Sequence, residues 1–391
     1  MGKNPGVPNY DPYPSPIANV SDVIQVSAGN HHSLFIKSNH SLWAMGDNQF
    51  GQLGDGTTIQ RNVPVQIVAS GVVQVSAGLR HSLFLKSDGS LWAMGYNHYG
   101  QLGDGTNTQR NSPVQIVGSG VVQIATGGQH SLFLKFNGSL HGVGWNHYGQ
   151  LGDGSNGNQR NSPIEIFSSG VTKIAAGYYH TLLVKSDGSL HTMGRGNFGA
   201  IGTNNTSDKN VPTEIVSSGV VQIAAGGHHS LFLKSDGSLY AMGKNIDGQL
   251  GDGTNQQRNS PIHLDSSEVS QIAAGARHSL LLKSNGSLHA MGKNDKGQLG
   301  DGSTNNRNSP VQVVPSGVLR LTEVLPPPSN RPPNAIDLNG TSVAENLPAG
   351  CPFPPYFLAA VAGDPDPLGV QAKFPPELFA PGGPVAAKLG G

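Results

Sequence analysis

The chain has 391 residues, in which 24 Lys+Arg are balanced by 24 Asp+Glu and charged residues make up only 12%. A net charge of zero leaves no basic footprint for nucleic acid or for an anionic membrane surface. The 55 glycines and 27 prolines point to many tight turns, and Cys351, the single cysteine, excludes an intramolecular disulfide and a cysteine-built zinc cage.

In chain order, the first 22 residues read as part of a repeated unit. Met1-Gly2-Lys3-Asn4 matches Met242-Gly243-Lys244-Asn245, and Ser15-Pro16-Ile17 matches Ser260-Pro261-Ile262. The expectation is a partial blade, with upstream coding sequence missing; no signal peptide is visible. Six full units follow at 23–71, 72–120, 121–170, 171–219, 220–268 and 269–317, with one extra residue near Gly157. Within the second unit, "VVQVSAG" (72–78), "HSLFLKS" (81–87), "SLWAMG" (90–95) and a stretch from Pro113 read as four short strands. Asp88-Gly89 predicts a type I′ turn with positive φ at both central residues. A long Gly-rich loop joins the third strand to the fourth.

Four-stranded units at this period read as propeller blades. The expected class is all-β, a propeller of six complete repeats plus a partial seventh formed from the two ends. Residues 318–333 supply a first strand and a Pro-rich linker to that seventh blade. Residues 334–391 form a separate tail.

The pattern "AGxxHSLxLKSDGSLxAMGxNxxGQLGDG" resembles the repeat of the regulator of chromosome condensation family over residues 23–317. That resemblance implies a seven-bladed propeller, and it implies the activities of the eukaryotic founder, guanine-nucleotide exchange or chromatin binding. Neutral charge and near-identical repeats argue against both. A plant relative senses ultraviolet light through tryptophans before the repeat histidine, positions held here by residues such as Arg80 and Arg277. Unit four departs from the pattern with "RGNFGAIGTNN", which predicts a loop of different shape. In the tail, "AIDLNGTSVAENLPAG" (335–350) and "GDPDP" (363–367) resemble an incomplete bacterial cadherin-like module. The resemblance implies weak calcium candidates at Glu345, Asp364 and Asp366, too few carboxylates for a complete calcium shell. It also implies a secreted or surface location.

The conspicuous chemistry is a histidine repeated at His32, His81, His130, His180, His229 and His278. Zinc needs ligands at about 2.0–2.1 Å, and equivalent positions around a ring do not converge so closely. His81 and Ser82 are strand neighbours whose side chains point to opposite sides, so one unit cannot make a serine–histidine pair. The reading is structural: each imidazole bridges strands through its two ring nitrogens. The loop aspartates Asp55, Asp104, Asp153, Asp252 and Asp301 read as turn residues.

Function then falls to positions that change between units, where loops of one propeller face meet. The partner-binding candidates are Leu79, Arg80, Tyr96, His98, Tyr99, Trp145, His147, Tyr148, Tyr178, Tyr179, Phe198 and Arg277. Exposed aromatics beside arginine are the residue types that dominate binding hot spots. The expectation is a non-enzymatic monomer that binds a protein partner, with no cofactor, no nucleic acid and no membrane insertion.

Overall fold

The computed structural model describes residues 20–264 and 267–321, together with the short strands Tyr356–Ala359 and Gln371–Ala372. In the first blade β1 (Val23–Ala28), β2 (His32–Lys37), β3 (Leu42–Gly46) and β4 (Arg61–Val68) pair antiparallel in chain order. Five further sheets repeat this order, their innermost strands being Val72–Ala77, Val121–Thr126, Val171–Ala176, Val220–Ala225 and Val269–Ala274. The result is a propeller of six four-stranded blades.

The strand sequences explain their places in the blade. In β2, the residues from His32 to Ile36 are all buried, as expected for a strand covered on both faces. The outermost strand β4 alternates between partly buried and exposed residues and carries Pro64. A proline there withholds an N–H from the open edge, which discourages pairing with another chain. Its counterparts are Pro113, Pro163, Pro212, Pro261 and Pro310.

Packing joins blades rather than filling each one. Leu34, Ile36, Leu42, Ala44 and Leu53 of the first blade bury against Val72, Val75, Phe84 and Met94 of the second. Each fully buried side chain of this size contributes about 1.5–3 kcal/mol. A lone blade would expose most of that surface, so stability grows with neighbours. At the inner ends, side-chain amides cross the same boundary: Val75 N–H donates to Gln25 Oε1 at 3.0 Å, and Ile124 N–H to Gln74 Oε1 at 3.1 Å.

Three expectations are corrected. Six complete blades are described where the family resemblance implies seven. At the next position in the ring, strand Val318–Leu321 is joined through Leu321 N–H to Gln271 Oε1 at 2.6 Å. It pairs in parallel with Tyr356–Ala359, which also lies beside β1; that segment belongs to the stretch assigned to the cadherin-like resemblance. Residues 1–19, which were to complete this blade, and Glu345, Asp364 and Asp366 lie outside the described residues. The hairpin turn is also different. Only Gly89 has positive φ, at 79°, while Asp88 does not. Gly89 N–H donates to Lys86 O at 2.9 Å and Lys86 N–H to Ser90 O at 3.0 Å, giving a type I turn closed by a glycine bulge. Asp88 favours it by accepting Ser90 N–H at 2.8 Å. Finally, the fourth strand of the second blade begins at Arg110 rather than Pro113, after a register shift between Ala93 and Gly95.

Candidate functional site

In every blade the loop from first to second strand is tied to the loop from third to fourth. Asp47 N–H donates to His31 O at 2.8 Å, and Tyr96, Trp145, Arg195, Lys244 and Lys293 N–H groups repeat the bond to the carbonyls of Arg80, Gln129, Tyr179, His228 and Arg277 at 2.8–2.9 Å. The two variable segments of each unit therefore form one platform on one face of the ring.

Beneath that face lies a girdle of repeated histidines. His32 Nε2 is 2.9 Å from Ser82 Oγ in the next blade, and Ser82 Oγ donates its own proton to Gln52 O at 2.8 Å. With the hydroxyl proton committed, the imidazole N–H must be the donor in the first bond. The same relay links His81 to Ser131, His130 to Thr181, His180 to Ser230 and His229 to Ser279, at 2.8–3.1 Å. Burial holds His32 at a pKa of about 4 and His81, His130, His180 and His229 at about 3, so the rings stay neutral. Five of the six repeated histidines thus bridge blades through Nε2, whereas the sequence reading expected both nitrogens to bond. Nδ1 of His32, His81, His130 and His229 is buried without a partner. A Cβ on Gly78 would collide with the His81 ring and stand 2.8 Å from Gly127 O, so glycine is needed for this close approach.

A serine–histidine pair does exist, then, but between units. Its polarity is opposite to that of an activated nucleophile: the ring donates to the serine instead of accepting its proton. Among the described residues, no three His, Cys, Asp or Glu side chains converge to hold a metal, and no helix is long and apolar enough to cross a membrane.

The long loops have their own frame. Asn97 Nδ2 donates to Asp104 Oδ1 at 3.0 Å and to the carbonyls of Thr106 and Thr108 at 3.1 Å, while its Oδ1 accepts Leu102 N–H at 2.9 Å. Asp104 also accepts Arg110 Nε at 2.7 Å. Asp55–Arg61, Asp153–Arg160, Asp252–Arg258 and Asp301–Arg307 repeat the ion pair. These hydrogen bonds hold the aspartates below their usual pKa, although burial acts in the opposite direction. The aspartates are therefore anchors as well as turn residues. Unit four lacks the asparagine: Gly196 N–H is instead capped by Asp208 Oδ1 at 2.9 Å, and the loop makes a short 3₁₀ turn at Asn197–Gly199 with Phe198 at φ 64°.

On this frame the variable side chains form a continuous arc. Arg80 lies over the Phe50 ring at 4.8 Å, and Phe50 meets Tyr96 edge-on at 4.9 Å. Tyr96 contacts His98 and Tyr99, and Tyr99 reaches Trp145 of the next blade at 5.5 Å. Trp145 touches His147, Tyr148 and Tyr179 at 5.3–5.6 Å. Arg195 covers Tyr148 at 4.5 Å and Tyr179 at 5.5 Å. Tyr178, Tyr179 and Phe198 then surround His228, and Lys244 closes the arc over Phe198 at 4.9 Å. Burial, reinforced by the nearby cations Lys244, Arg195 and Arg277, lowers His228 to about 4, which keeps the imidazole neutral among the rings. Burial raises the Tyr96 and Tyr179 hydroxyl pKa values, so both remain protonated donors.

Most of the sequence candidates fall on this arc; two do not. Leu79 is half-buried beside Gly128. Arg277 makes a two-pronged ion pair with Asp247 at 2.7 and 2.9 Å. Phe50, Arg195, His228 and Lys244 complete the arc, and their signal in the sequence was occupancy of the same two variable positions per unit. The anchoring asparagines and arginines, such as Asn97 and Arg110, were missed although both recur in register.

Solved structures similar to this chain include the following two. Human WBSCR16 is 27% identical with a TM-score of 0.69, over 78% of this chain and 84% of that one. Prp20p of Saccharomyces cerevisiae is 24% identical with a TM-score of 0.67, over 74% of this chain and 76% of its own, a likeness of fold alone. No curated protein matches. The RCC1-like domain family matches residues 2–325, which is most of the sequence, and the chain belongs to that family.

Proposed function

We propose that this propeller is a non-enzymatic interaction module that binds a protein partner through the aromatic arc. The observation that carries the reading is the contrast between positions. Residues that are copied from blade to blade have their hydrogen bonds directed into the ring, whereas those that vary join into one aromatic and cationic surface across five blades. Such a surface offers large contact area on side chains already packed against each other, so little freedom is lost on binding.

The test replaces Tyr99, Trp145, Tyr148 and Tyr179 by alanine. Partner capture by the purified chain should vanish while the circular dichroism spectrum of the fold persists. Capture unchanged by the four substitutions removes the arc from consideration.

Exchange of guanine nucleotide, or chromatin binding, is the second reading. Prp20p is described as binding Gsp1p and histones, but at 24% identity that neighbour supports only the fold. Stimulated nucleotide release from a small GTPase would favour this reading. A secreted or surface location is proposed solely on the resemblance of residues 335–350, and fractionation of the source cells tests it.

A further inference from the structure

Granted that the arc is the binding face, we infer that its occupant is an acidic peptide segment of the partner protein. The first reason is the state of the arginines. Arg61, Arg110, Arg160, Arg258, Arg277 and Arg307 each hold a carboxylate at 2.5–2.7 Å. Arg80 and Arg195 alone among the arginines with described side chains lack one; each lies over aromatic rings. A guanidinium above an aromatic face keeps in-plane N–H donors for a carboxylate. Arg80 marks the exposed start of the arc, and Arg195 sits two blades further on, with Tyr96, Tyr99, Trp145 and Tyr148 between them.

The second reason lies under the rings. In the first blade Gln52 Nε2 donates to Asp47 Oδ2 at 2.9 Å. The positions equivalent to Asp47 are Tyr96 and Trp145 in the next two blades. The corresponding Gln101 and Gln150 are fully buried, and their Oε1 atoms accept the Tyr99 and Tyr148 N–H groups at 3.0 Å. Their Nε2 donors have no acceptor, and neither has that of Gln249 in the fifth blade, where Lys244 replaces Asp47. A buried donor left unmet costs about 1–3 kcal/mol. The missing group, at both the cations and the amides, is an acceptor of the kind that Asp47 supplies within its own blade. Carboxylates arriving over the arc would supply it to the Arg80 and Arg195 guanidinium groups, while apolar side chains of the same peptide cover the aromatic faces.

A single-stranded nucleic acid also combines negative charge with stacking groups. The phosphate backbone needs a continuous track of cations. Here the carboxylates of Asp47 and Asp247 interrupt the same face, and Arg277 is already committed to Asp247. An acidic peptide with spaced charges fits this arrangement better.

The test measures fluorescence anisotropy of three labelled nonapeptides with the full chain. All three carry the same phenylalanines, with Glu, Gln or Lys at the remaining positions; an oligothymidylate is the fourth probe. The Glu peptide should bind at least about tenfold tighter than the Gln peptide, a ratio equal to about 1.4 kcal/mol, and should weaken with added salt. Arg80→Glu and Arg195→Glu should each reduce its affinity about tenfold, and the double variant should favour the Lys peptide. Thermal melting of each variant confirms that the propeller stays folded. Equal binding of the Glu and Gln peptides, no binding of the Glu peptide, or tighter binding of the oligonucleotide overturns the acidic occupant. If natural-partner capture fails in the four-alanine variant but persists in Arg80→Glu/Arg195→Glu, the binding face stands and the acidic occupant falls. Capture retained in both removes both.

Discussion

Two layers of one propeller face use aromatic and imidazole rings in opposite ways. In the lower layer His81 is fully buried, neutral and bonded to Ser131, and the same arrangement recurs around the ring. In the upper layer His98 and His147 are exposed at loop positions that change from unit to unit, packed on Tyr99 and Trp145. The lower layer uses repetition to solve one packing problem many times. The upper layer uses the rigidity so gained to hold side chains that no packing requirement dictates. The difference teaches that a histidine's copy number, rather than its chemistry, separates scaffold from surface here.

The sharpest way to break this division is His81→Ala. It removes a ring from a closed blade boundary and leaves Ser131 without its donor, so urea unfolding should show a loss of about 2–4 kcal/mol. Peptide or partner affinity of the folded fraction should not change. Affinity loss without destabilisation would assign the girdle to function.

Asp104→Ala should come next. It strips acceptors from Asn97, Thr106 and Arg110 and should cost about 1–3 kcal/mol. Protease cleavage near residues 104–110 should accelerate, because the loop loses its anchor.

Acid probes the buried girdle without mutation. The girdle histidines have folded pKa values of about 3–4, below the ordinary 6.5, so the unfolded chain takes up protons first. Their stabilisation is complete above pH 6.5 and is lost as pH falls from there towards 3–4. The anchoring aspartates are also lowered, but from 3.8, so their share is lost only at lower pH. Urea midpoints should fall between pH 6.5 and 4, and His81→Ala should make that fall shallower. A flat midpoint over this range would contradict neutral, buried girdle histidines.

Trp145→Ala should act in the reverse sense to His81→Ala. Its ring is half-buried, so stability should fall by about 1 kcal/mol or less, while partner affinity should fall by about thirtyfold or more. Gly227→Ala is the finest probe. Its Cβ would stand 2.6 Å from Ala276 O and 3.1 Å from the Tyr178 ring. A loss of about 1–2 kcal/mol is expected, with altered Tyr178 fluorescence marking displacement of that part of the arc.

Much of this molecule was legible in its repeats. The unit boundaries at Val72, Val121 and Val171 coincide with observed strand starts, because β-branched residues after a Ser-Gly turn recur in register. The variable positions were also visible as places where the units disagree. What stayed hidden depends on neighbours. Asp88-Gly89 suits more than one tight turn, and the bonds from Gly89 N–H and Lys86 N–H decided which. Nothing local to Asn97 specifies that Asp104, Thr106 and Thr108 converge on its amide. Arg277 and Arg80 occupy equivalent positions in their units. One found Asp247 and the other an aromatic ring.

The sequence by itself determined the all-β class, the blade period and which residues repeat, since short-range periodicity is written in consecutive positions. Only the tertiary structure decided that His81 reaches Ser131 across a blade boundary, about one unit away in the chain. It also decided that Phe50, Tyr96, Tyr99, Trp145, Tyr179 and His228 follow one another ring against ring. Contacts between blades arise from the radial packing of separate sheets, and no local pattern encodes which ring will face which.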